Sequence, residues 1–314
     1  MLQINNQIQN LLYDKISFTH DIPENERELV IGRINDPMVY GKYNRRVFGT
    51  GPSSGRYNNN YQFDMTDGDS KSKSILLSLY PKNKNNNFLR VEYSPYNLKM
   101  DGRKGLRKFL IKLITVDLVK LIYFNARVTR LDLTLDVFDM EPNIYIHKNM
   151  VKCSEIIRDE DTDKMASQII GSDASDCRVT MYDKSLEQGH ETGEGGRGNH
   201  QRIEIRLRNL SSTMDQLSDE LLVEFEKLNF FTGGFLHDKQ FSAEFCRNAY
   251  DNGLNTALYE LHDDNQRRRY RRYLESYRAY PISMAGADLN FDKAHQQALK
   301  SLISRKYQAE VLNF

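Results

Sequence analysis

Apolar and polar residues alternate strictly through "ARVTRLDLTLDVFD". Leu131, Leu133, Leu135 and Val137 fall on one side, and Arg130, Asp132, Thr134 and Asp136 on the other. This spacing predicts a strand with one core face and one polar face. Two later stretches repeat the pattern. In "CRVTMYDK", Val179 and Met181 oppose Arg178, Thr180, Tyr182 and Lys184; in "QRIEIRLRN", Ile203, Ile205 and Leu207 oppose Arg202, Glu204, Arg206 and Arg208. "ELVIGRI", "SILLSLYP" and "FLRVEYSP" also read as strands, separated by the turn-rich "GTGPSSGRYNNNYQF" and the loop "KNKNNN". The period changes in "GLRKFLIKLITVDLVKLI", where apolar residues recur at helical spacing and predict one amphipathic helix on the sheet. Residues 142–169 read as helical around "KNMVKCSEIIRDE", and from about residue 211 the chain reads as helices. The predicted fold is α+β, an antiparallel sheet with helices over residues 1–210, followed by a helical C-terminal region over 211–314.

Composition narrows the class. The chain has 314 residues, 39% hydrophobic and 28% charged, and no apolar run approaches membrane-spanning length. The N-terminus lacks the basic start and long apolar stretch of a signal peptide, so a cytoplasmic protein with no membrane partner is expected. Cys153, Cys177 and Cys246 are dispersed, with no CxxC pair, His-x-His or HExxH, so neither a disulfide framework nor a zinc site is predicted. A net charge of +1 says nothing about nucleic acid, but its distribution does. "QRRRYRRYLESYRAY" is the most basic segment. Tyr270, Tyr273, Tyr277 and Tyr280 there share one helical face, and Arg267, Arg268, Arg271 and Arg272 are candidates for DNA phosphates or, equally, a solvated face.

If the three alternating strands share a core face, Asp132, Asp136, Tyr182, Lys184, Glu204 and several arginines lie on one polar surface. Each strand alone is ordinarily just a wetted sheet face. The combination suggests chemistry on an anion. Carboxylates hold hard divalent cations such as Mg²⁺ or Mn²⁺. Lysine and arginine beside a tyrosine favour its phenolate, a competent nucleophile on phosphorus. The glycine-rich "GHETGEGGRG" between the last two strands is either an untidy connection or a loop that admits substrate.

These residues resemble a family. "RVTRLDLTLDVFD", "GSDASDCRVTMYDKSLEQG" and "HQRIEIRLRN" are similar, in order and spacing, to the motifs of the Rep_trans replication initiation factors, which start rolling-circle replication of plasmids and phages. The resemblance runs from about Tyr80 to Asn209. It implies a rearranged relative of the HUH nickase fold with a curved sheet, although the paired metal-binding histidines of HUH enzymes are missing. It further implies nicking of one strand at a double-stranded origin with a single-stranded nick region. Tyr182 would take the 5′-phosphate and leave a 3′-OH. Asp132, Asp136 and Glu204 would correspond to metal ligands for Mg²⁺ or Mn²⁺, and Lys184 and Arg202 to charged groups near the scissile phosphate. A homodimer working with a host helicase and polymerase is implied as well. A catalytically silent DNA-binding regulator and a relaxase-like nickase for conjugative transfer are the competing functions.

Overall fold

The computed structural model describes residues 8–40, 43, 45–47, 55–64, 74–138, 140, 143–187, 200–210, 212–281, 291–299 and 302. The chain is α+β. Its contacts divide it into two compact units otherwise than at residue 210: Leu12–Asp132 with Arg208–Ser218 and Asn290–Phe314, and Met1–Leu11 with Leu133–Leu207 and Asp219–Leu289.

The first unit is an antiparallel sheet in the order β2-β3-β4-β5-β1-β6, from strands β1 (Ile8–His20), β2 (Arg45–Val47), β3 (Tyr57–Asp64), β4 (Ser74–Pro81), β5 (Leu89–Tyr93) and the first half of β6 (Arg127–Phe138). Alternate positions of β3–β5 are buried, with Phe63, Ile75, Leu77, Leu79, Leu89 and Val91 in the core. The strand expected at "ELVIGRI" is instead helix α1 (Glu24–Asn35). Pro23 precedes it, Glu24 and Glu26 occupy its first turn and Arg33 its last, a helix-start and helix-stop pattern that outweighs the short apolar run. Val30 and Ile34, four apart, are its buried residues, whereas Leu29 is exposed. A single turn, α2 (Pro37–Tyr40), follows.

The expected single amphipathic helix is two, α3 (Lys99–Leu113) and α4 (Val116–Asn125). The chain leaves helical geometry at Ile114 (φ −113°, ψ −90°), and Arg33 Nη1 donates to the freed carbonyls of Leu113 and Ile114 at 3.4 and 3.2 Å. The break lets both helices bury apolar residues: Leu106, Phe109, Leu110 and Leu113 from one, Val119, Ile122 and Tyr123 from the other. The helix Phe291–Ala298 closes this unit. Its Phe291 and His295 meet the Tyr13 ring edge-on, and Tyr93 Oη donates to the Ala298 carbonyl at 2.5 Å.

The second unit holds the remaining strands. Leu133–Phe138 of β6 is followed in sheet order by β11 (His200–Arg208), β10 (Cys177–Asp183), β9 (Met165–Ile170) and β8 (Ser154–Arg158), and β13 (Arg278–Pro281), β12 (Leu228–Thr232) and β7 (Ile144–Lys148) form a three-stranded sheet. The helix expected over 142–169 is therefore three strands. Its β-branched residues, Ile144 and Ile146 in β7 and Ile156 and Ile157 in β8, suit pleated surfaces. Helices α5 (Lys184–Glu187), α6 (Val223–Glu226), α7 (Ala243–Asn252), α8 (Leu254–Tyr259) and α9 (Asp264–Leu274) follow in chain order. The C-terminal region is mainly helical, but "TMDQLSDELLVEFEKLNFF" is short 3₁₀ and α turns ending in β12 rather than one long helix.

The core of this unit is aromatic. Phe235, Phe241, Phe245 and Tyr270 pack with ring centroids 4.9–6.4 Å apart, over Tyr145, Leu254, Leu258 and Leu274. Each such ring contributes roughly 1.5–3 kcal/mol by leaving water. Tyr270 and Tyr273 dock α9 onto it. The stripe then changes character, because the chain passes into a 3₁₀ turn carrying Tyr277 and into β13 at Tyr280.

His147 on β7 is 6% exposed, and burial, reinforced by the positive charge of Arg271, pushes its imidazole down to about 4. The folded chain thus keeps this ring neutral where the unfolded chain, near ~6.5, binds a proton. The stabilisation is complete above about pH 6.5 and is lost as the pH falls toward the folded value. In urea unfolding, the wild-type chain should lose up to about 3 kcal/mol more than His147→Phe between pH 7 and pH 4.

Candidate active site

The antiparallel register of β10 and β11 sets Tyr182 opposite Arg202, Thr180 opposite Glu204 and Arg178 opposite Arg206. Residues directly opposite in such a pair share a face, with their Cβ atoms about 4.5–5.5 Å apart. Val179, Met181, Ile203, Ile205 and Leu207 occupy the other face and are buried. The polar face shared by Tyr182, Arg202 and Glu204 therefore exists as the alternation implied. Tyr182 itself is half-buried.

Arg202 is the centre of this face. It is 6% exposed, and its Nε and Nη2 donate to Asp136 Oδ1 and Oδ2 of β6 at 2.7 and 3.1 Å, a two-point grip. It also bonds the Tyr182 side chain. Burial works against the guanidinium charge, but the hydrogen bond and charge of Asp136, with a further contribution from Tyr182, more than offset it and hold the group above its ordinary value. His200 Nε2 lies 3.0 Å from the same Asp136 Oδ1, and its ring stacks on Phe138 at 4.4 Å. Sequence reasoning passed over His200, although it precedes Arg202 by two residues and so shares its strand face.

Lys184 was expected on a strand. It is instead the first residue of α5, and its Nζ sits 5.6 Å from the centroid of the Tyr182 ring. Asp183 Oδ1 accepts from Leu186 N at 3.1 Å, a side-chain cap that ends β10 directly after the tyrosine. The loop "GHETGEGGRG" lies outside the described residues.

The three expected metal ligands are not gathered into a cluster. Asp132 belongs to the other unit, is 1% exposed, and is gripped through both oxygens by Arg130. Asp136 is gripped by Arg202. Glu204 is half-buried, 3.9 Å from Arg206 Nη2. Residues 131–137 are buried on both faces of β6, so its polar side is not the wet face expected. Among the described residues no group of three or more His, Cys, Asp and Glu side chains could hold a metal ion. Bidentate arginine bonds occupy the oxygens of Asp132 and Asp136 that a cation would need, so these residues as arranged do not fit a divalent ion.

The four C-terminal arginines separate. Arg267 faces its own protein: Nε donates to the Leu258 carbonyl at 2.8 Å, and Nη2 to Tyr259 and Leu261, satisfying carbonyls at the end of α8 and just beyond it. Arg268, Arg271 and Arg272 are exposed, as is Arg269, which lies over the Tyr270 ring. No helix of the described residues is long and apolar enough to cross a membrane.

No protein-family model and no curated protein matches the chain by sequence. Among solved structures it is similar to a rolling circle replication initiator protein from Geobacillus stearothermophilus, with 14% identity and a TM-score of 0.41, covering 87% of this chain and 99% of that one.

Replacing Asp136 by Ala strands a buried guanidinium. The expected cost is about 3–5 kcal/mol in chemical denaturation, well above that of removing one partner of an exposed ion pair.

Proposed function

We propose that the chain nicks and rejoins DNA through Tyr182 and serves as an initiator of rolling-circle replication. One observation carries the reading: the tyrosine stands directly across a strand pair from an arginine whose position is locked by a buried carboxylate. A phosphodiester approaching this face meets the phenol and the Lys184 ammonium, with the largely buried Arg202 guanidinium beside the phenol. In the reaction, Tyr182 Oη gives up its proton and bonds to phosphorus, the P–O3′ bond breaks, and the 3′ oxygen takes a proton. Arg202 and Lys184 oppose the negative charge that builds on the phosphoryl oxygens and on the phenol oxygen. Asp136 and His200 act through Arg202 by fixing its fork. The motifs of the Rep_trans resemblance fall on these same residues, which supports origin nicking over a general nuclease.

DNA is recognised, on this reading, by a second surface. Arg268, Arg271 and Arg272 are exposed on one short helix and form no ion pair with a described carboxylate, so they are available to phosphates. A homodimer would supply a second tyrosine at termination, and a host helicase and polymerase would extend the 3′-OH. Dependence on Mg²⁺ or Mn²⁺ would require Asp136 to release Arg202, and the steps above use the chain's residues alone.

Supercoiled plasmid carrying the cognate origin, incubated with and without Mg²⁺ or Mn²⁺, should yield a protein–DNA adduct resistant to denaturation, with Tyr182 the modified residue by mass spectrometry. Tyr182→Phe should abolish adduct and nick. Undiminished nicking by Tyr182→Phe would exclude the mechanism, and origin binding without any adduct would favour the silent regulator.

Replacing Arg268, Arg271 and Arg272 together by Ala should weaken duplex binding and flatten its salt dependence by about 0.9 for each phosphate that is no longer neutralised. Arg267→Ala should instead lower thermal stability.

A further inference from the structure

The polar face has a second row whose charges are arranged differently. Arg178 and Arg206 are directly opposed across β10 and β11, two positions further along each strand than Thr180 and Glu204. Like charges directly opposite on paired strands are destabilising. Their side chains are only 18% and 19% exposed, so solvent screens them poorly. Such a pair needs an anion between its members. Here one carboxylate fills the place: Asp173 Oδ1 contacts Arg178 Nη1 and lies 3.5 Å from Arg206 Nη1. Glu204 adds a long contact of 3.9 Å to Arg206.

Asp173 does not resemble the other carboxylate partners of this face. Its side chain is 81% exposed, whereas that of Asp136 is 6% exposed. It stands on a turn closed by Ser175 N donating to the Ser172 carbonyl at 3.1 Å. The turn leaves β9 at Gly171, whose φ of +89° suits glycine, and where a Cβ would lie 3.0 Å from the Cys177 carbonyl oxygen. Arg178 Nε is buried and makes no hydrogen bond among the described residues, so part of its donor fork is unused. Asp173 reaches the two guanidiniums from the solvent side, the side from which another anion would approach them.

We infer that Arg178 and Arg206 form a clamp for a backbone phosphate of the DNA strand processed at Tyr182, and that Asp173 occupies the clamp until that phosphate displaces it. The inference rests on the function proposed above. Two convergent guanidinium forks suit a phosphate, which offers more acceptor oxygens than the carboxylate it replaces. Arg178 is four residues from Tyr182 on one strand, about 14 Å at ~3.4 Å per residue. A bound strand spans that distance in about four nucleotides when stacked at ~3.4 Å each, and in fewer when extended. The clamp would hold the strand in register while the tyrosine reacts.

The test uses the full chain and a fluorescein-labelled oligothymidylate ~20 nucleotides long, titrated by anisotropy across salt concentrations. Arg178→Ala should weaken binding about tenfold and lower the salt slope by about 0.7, the value for one neutralised phosphate of a single strand. Arg178→Lys, which keeps the charge and loses the fork, should fall between that variant and wild type. Asp173→Ala should tighten binding, and adding it to Arg178→Ala should bring no gain. Thermal melts of each variant separate an unfolded protein from a folded one that binds weakly. Weaker binding by a folded Asp173→Ala would make Asp173 a structural brace and overturn the proposal. Unchanged binding by Arg178→Ala, with the Tyr182 adduct still formed, would overturn the clamp alone. Absence of both binding and adduct in wild type would overturn the clamp together with the function it rests on.

Discussion

The two-point bond between Arg202 and Asp136 is the constraint on which the candidate site depends. Both groups are almost fully removed from water, where an unpaired charge would be untenable, so each requires the other in one geometry. That geometry joins the β6 and β11 strands through their side chains as well as their backbones. It also settles where the guanidinium points, and therefore what Tyr182 faces. A buried ion pair of this kind contributes little net stability over an apolar pair of the same shape. Its retention on a sheet face is better explained by what it positions. His200 bonds the same carboxylate oxygen and stacks on Phe138, which leaves Asp136 few alternative orientations.

Much of this face was legible in the sequence because strand alternation is a rigid rule. A residue two places from a buried isoleucine returns to the same side as that isoleucine, and its neighbours go to the other, so Tyr182, Arg202 and Glu204 could be put together without coordinates. The rule does not tell how charges pair once they meet. Asp132 and Asp136 read as cation ligands because carboxylates on a polar face have that capacity. In the fold each has an arginine within two hydrogen bonds, Arg130 from the same strand and Arg202 from a neighbour. Nor does alternation tell that a polar face is covered, and β6 proved buried on both sides.

The misread elements fail for related reasons. "ELVIGRI" contains enough β-branched residues for a strand, yet the decisive signals were Pro23 and the acidic first turn before it. Residues 144–158 hold two strands of only five residues each, too short to outweigh a helical reading of the stretch. "QRRRYRRYLESYRAY" was read as one helical face of four tyrosines, of which only the part up to Leu274 is α-helix, and its arginines could not be sorted. Arg267 differs from Arg268 only in lying where α8 ends, and that proximity is a tertiary fact.

The two rows of charge on the β10–β11 face therefore call for different treatment. In the Tyr182–Arg202 row the neutralising carboxylate is buried, held at two points and bonded by a histidine, so an incoming anion meets a fixed donor array and cannot readily exchange its partner. In the Arg178–Arg206 row the neutralising carboxylate is exposed, borne on a turn and shared between two cations. Reaction chemistry favours the first arrangement, because donors that are already oriented need not reorganise as charge develops. Reversible capture favours the second, because an internal anion keeps two like charges together in the empty site and can leave when a stronger ligand arrives. A strand lying along this face would thus be held where the protein can release it and would react where the protein cannot move. That division of labour requires both rows to stand on the same pair of strands, as the register of β10 and β11 provides.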